Sequence, residues 1–133
     1  ARHASGEMAR MDAADYRALV EDSPVDTRLV EFRDGGNVLV GCCLIDRLAD
    51  GLSAVYSFFE PAAERRSLGS LMILWAIEET RLLNLPYTYL GFWIACCSKM
   101  SYKARFQPLE VCTPDGWKLL PREQAAPSSA LSA

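Results

Sequence analysis

The feature that most constrains the fold is a strand-like segment, a loop and a long apolar run, which follow one another in mid-chain. Leu52 to Phe59 is apolar and aromatic, as expected of a strand. Ser70 to Leu83 is too long for a strand and contains neither Gly nor Pro, so it is predicted to form a helix. Because this helix is apolar on nearly every side, we expect most of it to be buried against a sheet.

The loop before this helix carries two adjacent arginines. The first turn of a helix has unpaired backbone N–H groups and the positive end of the helix dipole, and both favour an anionic or strongly polar ligand. Arginine can also bind phosphate through two parallel hydrogen bonds. The alternative is that one arginine merely pairs with Glu64 or with solvent. The candidate ligand-binding residues of this loop are Arg65, Arg66, Ser67, Leu68 and Gly69.

Turn signals and hydrophobic patterns divide the rest of the chain into short elements. The further predicted helices are Asp12–Asp22, with Asp12 as N-cap, and the polar segment Cys97–Phe106. The further predicted strands are Thr27–Arg33, Val38–Asp46, Tyr87–Phe92 and a closing hairpin of Leu109–Cys112 with Trp117–Leu120.

The order of these elements predicts an α/β fold with a mixed, mostly antiparallel sheet and packed helices. The first three strands are joined by short turns and should form an antiparallel meander, whereas the crossover through the helix should place the next strand parallel to the third. This order resembles the GCN5-related N-acetyltransferase (GNAT) fold, which binds acyl donors at the corresponding loop. That loop usually ends in Gly or Ala, and Leu71 stands at this position here, which disfavours coenzyme A as a ligand.

Composition excludes several classes of protein. With 133 residues we expect one domain over residues 1–120 and a disordered tail over residues 121–133, which is rich in Ala, Ser and Pro. No apolar run is long enough to span a bilayer and residues 1–10 lack the apolar core of a secretory signal, so we expect no membrane partner and a cytoplasmic location. The net charge of −3 gives no global reason to bind nucleic acid.

The five cysteines show neither CxxC spacing nor an even number. We therefore expect reduced thiols and no metal site. The only histidine is His3, so a hydrolase built on a histidine base would depend on that residue alone.

Two long segments resemble a known family. Tyr87 to Ile94, followed by Cys97 to Pro108, resembles the C-terminal half of the aminoacyl-tRNA–protein transferases, and most closely the bacterial aspartate/glutamate leucyltransferases. Asp50 to Tyr56 and Arg65 to Gly69 match the same family, and the resemblance extends from about Arg2 to Trp117. The family's chains are about twice as long, so this chain resembles a fragment or a separate C-terminal domain.

The resemblance implies transfer of leucine from leucyl-tRNA to proteins with N-terminal Asp or Glu, in the N-degron pathway of protein degradation. Its implied partners are charged tRNA, the acceptor proteins and the missing N-terminal half, and aminoacyl-tRNA replaces any cofactor. The alternatives are arginyl transfer, a coenzyme A-dependent N-acyltransferase, and a non-catalytic module that binds tRNA or acidic N-termini. No residue is assigned as general base.

Further site residues follow from the same resemblance. Lys99 and Lys103 are four residues apart, so on an α-helix they would share one face with Tyr102 nearby and could bind tRNA or an acidic N-terminus. Tyr89 and Trp93 could stack on the terminal adenine, with a role in the core as the alternative for each. We predict that the arginine-bearing loop and the lysine-bearing segment line one basin.

Overall fold

A computed structural model describes residues 12–61, 67–94 and 96–121. The chain divides into two compact units, Ala1–Gly91 and Phe92–Ala133, and each unit is described by itself. Except for Pro121, the predicted tail lies outside the described residues, as does His3. The single domain expected over residues 1–120 stays a prediction.

The first helix begins with the predicted N-cap. The Asp12 carboxylate accepts hydrogen bonds from the backbone N–H groups of Ala14 and Asp15, at 2.8 and 2.9 Å. The Asp15 carboxylate in turn accepts from the N–H of Asp12 at 3.2 Å, which completes a capping box. The helix, α1 (Ala13–Val20), ends two residues before the predicted boundary at Asp22.

The three predicted strands form the expected antiparallel meander, and the mixed sheet with packed helices is confirmed. They are β1 (Asp26–Arg33), β2 (Leu39–Arg47) and β3 (Gly51–Phe59), with β2 between the other two. The Asp34 carboxylate accepts from the N–H groups of Gly36 and Val38 and so fixes the turn between β1 and β2.

The crossover predicted from the apolar run is also present. Helix α2 (Leu68–Leu82) connects β3 to β4 (Tyr87–Tyr89), and β4 pairs with β3 in parallel. One face of α2 packs on one face of the sheet. The buried cluster between them consists of Cys43, Ile45, Leu52, Leu68, Met72 and Ala76.

The prediction that α2 is mostly buried is wrong. The positions that are buried recur at helical spacing and define one face of the helix. A single sheet contacts only that face, so the opposite face is exposed although it also carries several large apolar side chains. The exposed large apolar side chains of α2 are Leu71, Leu74, Ile77 and Leu82.

Two predicted elements are shorter than expected. Strand β4 stops at Tyr89 instead of Phe92, because Leu90 leads into Gly91, whose φ of +75° is incompatible with a strand. The predicted helix Cys97–Phe106 contains only a turn followed by a 3-10 helix, Ser101–Arg105. Propensity alone did not separate a 3-10 helix from an α-helix in this polar segment.

The predicted closing hairpin is confirmed in the second unit. It pairs β5 (Glu110–Thr113) with β6 (Gly116–Leu119) around a turn at Pro114 and Asp115. Gly116 has φ of +104°, a backbone conformation that favours glycine. The backbone N–H of Leu120 donates to the carbonyl of Leu109 at 2.7 Å and closes the open end of the hairpin.

All five cysteines are free thiols. Cys42 and Cys43 are buried at the centre of β2, and burial raises the pKa of the Cys43 thiol to about 11. Within the described parts of the chain, no three His, Cys, Asp or Glu side chains lie close enough to hold a metal ion. Among these same residues, no helix has the length and apolarity needed to cross a bilayer.

We expect the thiols to react with a disulfide reagent such as DTNB in two classes. At pH 8 the exposed Cys96 and Cys112 and the half-buried Cys97 should react rapidly, because the thiolate is the nucleophile and the reagent can reach it. Cys42 and Cys43 should react only as the protein unfolds. Reaction in concentrated guanidinium chloride, in which all five thiols are accessible, provides the control. Rapid reaction of four or more thiols in the native protein would contradict this assignment.

Candidate functional site

Parallel pairing of β3 with β4 joins two segments that resemble the transferase family, Asp50–Tyr56 and Tyr87–Ile94. Gly51 lies opposite Tyr87, and Ser53 lies opposite Tyr89. The backbone N–H of Tyr87 also donates to the carbonyl of Asp50 at 3.1 Å. The strands approach so closely that a Cβ at Gly51 would overlap the carbonyl oxygen of Tyr87. The glycine is therefore required by the close backbone approach.

Tyr89 is held by a partner that the sequence did not suggest. Its hydroxyl donates to the Asp50 carboxylate at 2.9 Å, and its ring centroid lies 6.1 Å from that of Tyr87. The hydrogen bond to Asp50 and partial burial raise the pKa of Tyr89 above its ordinary value. Asp50 is the partner of a predicted site residue that sequence reasoning missed. Asp50 begins one of the segments that resemble the family, and the strand it precedes pairs with the strand that carries Tyr89. The predicted parallel pairing of these strands was the sequence signal that could have identified this contact.

The N-terminus of α2 is only partly available to a ligand. Ser67 has φ of +52° and makes no side-chain capping bond to the helix, while its carbonyl accepts from the N–H of Leu71 at 3.1 Å. Leu68 is 4% exposed and belongs to the core, so only its backbone can contact a ligand. Gly69 is half-buried. Arg65 and Arg66 lie outside the described residues, and their predicted role stays a prediction.

Tyr89 and the start of α2 lie apart within the first unit. The Thr88 hydroxyl donates to that of Thr80 at 2.9 Å, so β4 is anchored at the C-terminal half of the helix. At a rise of ~1.5 Å per residue, Ser67 lies about 20 Å from Thr80 along the helix axis. Two of the predicted groups, the Ser67–Gly69 turn and Tyr89, therefore occupy different ends of α2.

In the second unit, Lys103 forms a hydrogen bond to the segment that precedes the 3-10 helix. The Lys103 ammonium donates to the backbone carbonyl of Phe92 at 2.9 Å. The Phe92 side chain is 90% exposed, while the indole N–H of Trp93 is buried and has no hydrogen-bond partner among the described residues. A buried donor without an acceptor is unusual in a native structure.

The spacing argument for the two lysines is wrong. Lys99 lies in a turn and Lys103 in the 3-10 helix, so they do not share one face of an α-helix. A 3-10 helix has about three residues per turn, which instead aligns Tyr102 with Arg105. The predicted basin between Arg66 and Lys103 is untested, because Arg66 is outside the described residues and Lys103 belongs to the other unit. It stays a prediction.

This set of groups suits binding and positioning rather than covalent catalysis. Lys103 and the Trp93 N–H are hydrogen-bond donors, and Phe92 provides an exposed aromatic ring. Donors of this kind can hold carboxylate, carbonyl or phosphate oxygens, and aromatic rings can stack on bases. By their chemistry, these groups of the second unit indicate a protein that binds an oxygen-rich ligand.

Comparison with known families assigns this class. The family model described as "Arginine-tRNA-protein transferase, C terminus" matches residues 1–113, and the chain belongs to this family. The resemblance drawn from Tyr87–Ile94 and Cys97–Pro108 is therefore confirmed.

The similar curated proteins are aspartate/glutamate leucyltransferases. The chain is 59% identical over 117 residues to that of Paramagnetospirillum magneticum, a match that covers 88% of this chain and 48% of the relative. It is 56% identical over 124 residues to that of Gluconacetobacter diazotrophicus, which covers 93% of this chain and 48% of the relative. The chain thus spans about half the length of the curated relatives it matches.

Proposed function

We propose that this chain is the C-terminal part of an aspartate/glutamate leucyltransferase and acts in the transfer of leucine from leucyl-tRNA to an N-terminal Asp or Glu. The observation that carries the proposal is 59% identity to a relative named for this activity. The family model is named for arginine, whereas the similar relatives are named for leucine, and their high identity favours leucine as the donated residue.

The proposed reaction is an aminolysis of an ester. The neutral α-amine of the acceptor attacks the leucyl carbonyl, the bond to the terminal ribose oxygen of the tRNA breaks, and this oxygen receives a proton as the amide forms. An α-amine has a pKa near ~7.7–8.0, so a useful fraction is neutral at pH 7. The protein must mainly align the two substrates and stabilise the developing oxyanion.

The proposed roles follow from the family resemblance and, for the described residues, from the geometry of the unit to which each belongs. Arg65 and Arg66, with the backbone of Ser67 to Gly69, bind phosphates or the aminoacyl ester. The exposed Phe92 ring stacks on a base, with Trp93 as the second aromatic candidate for this role. The tRNA or the acidic N-terminus is contacted by Lys99, Tyr102 and Lys103. Lys103 also holds the backbone carbonyl of Phe92 and so positions the Phe92 ring. Because Asp50 engages its hydroxyl, Tyr89 orders the β3–β4 edge beside the site.

Several wider expectations belong to the same proposal. The antiparallel meander and parallel crossover support a GNAT-like fold, in which an acyl donor would approach the loop before α2. Aminoacyl-tRNA serves as donor, so the proposed reaction uses no separate cofactor. The acceptors are proteins of the N-degron pathway, and the location is cytoplasmic.

The proposal is tested by a transfer assay. The chain is incubated with radiolabelled leucyl-tRNA and a peptide that begins with Asp, both alone and with the unmatched half of the P. magneticum relative. We expect label to enter the Asp peptide, and not a matched peptide that begins with Ser. Leucine transfer with neither arrangement, or preferred transfer from arginyl-tRNA, would overturn the proposal. Peptide binding without product would assign the chain to the non-catalytic class.

A further inference from the structure

The outer face of α2 is a largely apolar surface that the sheet does not cover. Four large aliphatic side chains lie on it, and they are 48%, 54%, 38% and 60% exposed for Leu71, Leu74, Ile77 and Leu82, respectively. Apart from these, its exposed positions are Glu78 and Arg81. Leu71, Leu74 and Ile77 lie on successive turns without an exposed charge between them, whereas Leu82 follows the Glu78–Arg81 pair. An exposed group of large apolar side chains on a folded protein can mark an interaction site.

The charged residues of this face are confined to the C-terminal half of α2. Arg81 pairs with Glu78 through two hydrogen bonds, at 2.6 and 2.9 Å, so the two charges compensate each other. The helical turns before this pair expose Leu71 and Leu74, and no charged residue occurs in α2 before Glu78. An amphipathic surface helix would carry polar side chains at these positions. The sequence therefore keeps this helix apolar on the side that the sheet does not cover.

The length of the relatives indicates what covers this face. The matched family model describes a C-terminal region, and the chain spans only 48% of the P. magneticum relative. A polypeptide of similar size therefore accompanies this region in the relatives. Such a polypeptide must contact the C-terminal region if the two act on one substrate, and an apolar helix face offers contact area that excludes water.

We propose that the outer face of α2 (Leu71, Leu74, Ile77 and Leu82) is the docking surface for the other half of the transferase. The partner surface is aliphatic or aromatic where it meets Leu71 and Leu74, and polar where it meets the Glu78–Arg81 pair. The inference rests on family membership and on the exposed face. It is independent of the donated amino acid and of catalysis.

The test measures binding without tRNA. The unmatched half of the P. magneticum relative is titrated into this chain by isothermal calorimetry, with Leu74→Glu as the disrupting variant and Val38→Glu as the matched control. Val38 is 60% exposed, lies in the turn between β1 and β2, and is not part of the outer face of α2. We expect Leu74→Glu to weaken binding at least tenfold and Val38→Glu to leave it unchanged.

Two further measurements keep the result unambiguous. Urea unfolding should give the same midpoint for Leu74→Glu and the parent chain, because the residue is exposed. If it does not, Leu71→Gln replaces it as the disrupting variant. Equal binding by the disrupting variant and the parent, or no complex at all, overturns the proposal. Sedimentation that shows a dimer of this chain, abolished by Leu74→Glu, also overturns it and assigns the face to a second copy.

Discussion

Replacing Gly51 with alanine is expected to destabilise the first unit by roughly 3 kcal/mol, the upper part of the range for overpacked positions. The added methyl group would overlap the carbonyl oxygen of Tyr87 and lie 3.0 Å from both the carbonyl carbon of Tyr87 and the ring edge of Tyr89. Backbone atoms cannot move aside as a flexible side chain can, so β4 must separate from β3. Urea unfolding followed by circular dichroism measures this loss.

Gly35→Ala is the matched control for this substitution. Gly35 lies in the β1–β2 turn, and a Cβ there would meet no atom within 4 Å. This variant should keep the stability of the parent to within about 0.5 kcal/mol. Comparable unfolding midpoints for Gly51→Ala and the parent would show that the β3–β4 edge is looser than described here, and that the Asp50–Tyr89 bond does not require close pairing.

Replacing Lys103 with methionine is expected to lower the proposed leucine transfer at least tenfold. The same change should lower the free energy of unfolding by only about 1 kcal/mol. The ammonium group donates to the Phe92 carbonyl in an exposed hydrogen bond, and such a bond makes a modest net contribution to folding. Its loss should affect transfer more, because the bond holds the segment that presents Phe92 and Trp93. Steady-state kinetics in the transfer assay and urea unfolding are measured on the same preparation.

Lys118→Met supplies the control, since Lys118 belongs to the same unit and its ion pair with Asp115 is exposed. This variant should retain full transfer and full stability. Lys103→Arg separates two roles: recovered activity indicates that a cation is required, whereas continued loss indicates that the lysine geometry at the Phe92 carbonyl is required. If Lys103→Met lowers activity and stability to the same extent, the residue serves the fold alone.

Local patterns in the sequence predicted the elements whose formation depends on near neighbours. The capping box of Asp12, the Asp34 turn and the hairpin at Pro114 follow from short-range hydrogen bonds and backbone preferences. The crossover through α2 followed from the length of its apolar run and from the rule that two strands joined by a long helical connection lie parallel. Family membership followed from the long motifs that begin at Tyr87 and Cys97.

Other features depended on groups distant in sequence and were not predicted. Nothing near Tyr89 indicates that its hydroxyl bonds to Asp50, because strand pairing alone brings the two residues together. The 3-10 geometry that separates Lys99 from Lys103 depends on backbone detail that the lysine spacing does not contain. The pattern of residues 68–82 likewise does not say which side of α2 the sheet covers.

The sequence by itself thus determined which segments are helices and strands, how β1, β2 and β3 connect, and the family to which the chain belongs. Only the tertiary structure decided that Gly51 must be a glycine, that Lys103 holds the Phe92 carbonyl, and that Leu71 and Leu74 remain exposed. The physical reason is the distance along the sequence over which each interaction acts. Backbone propensity and hydrophobic period act over a few residues, whereas close backbone approach, side-chain pairing and burial depend on segments that only the folded chain brings into contact.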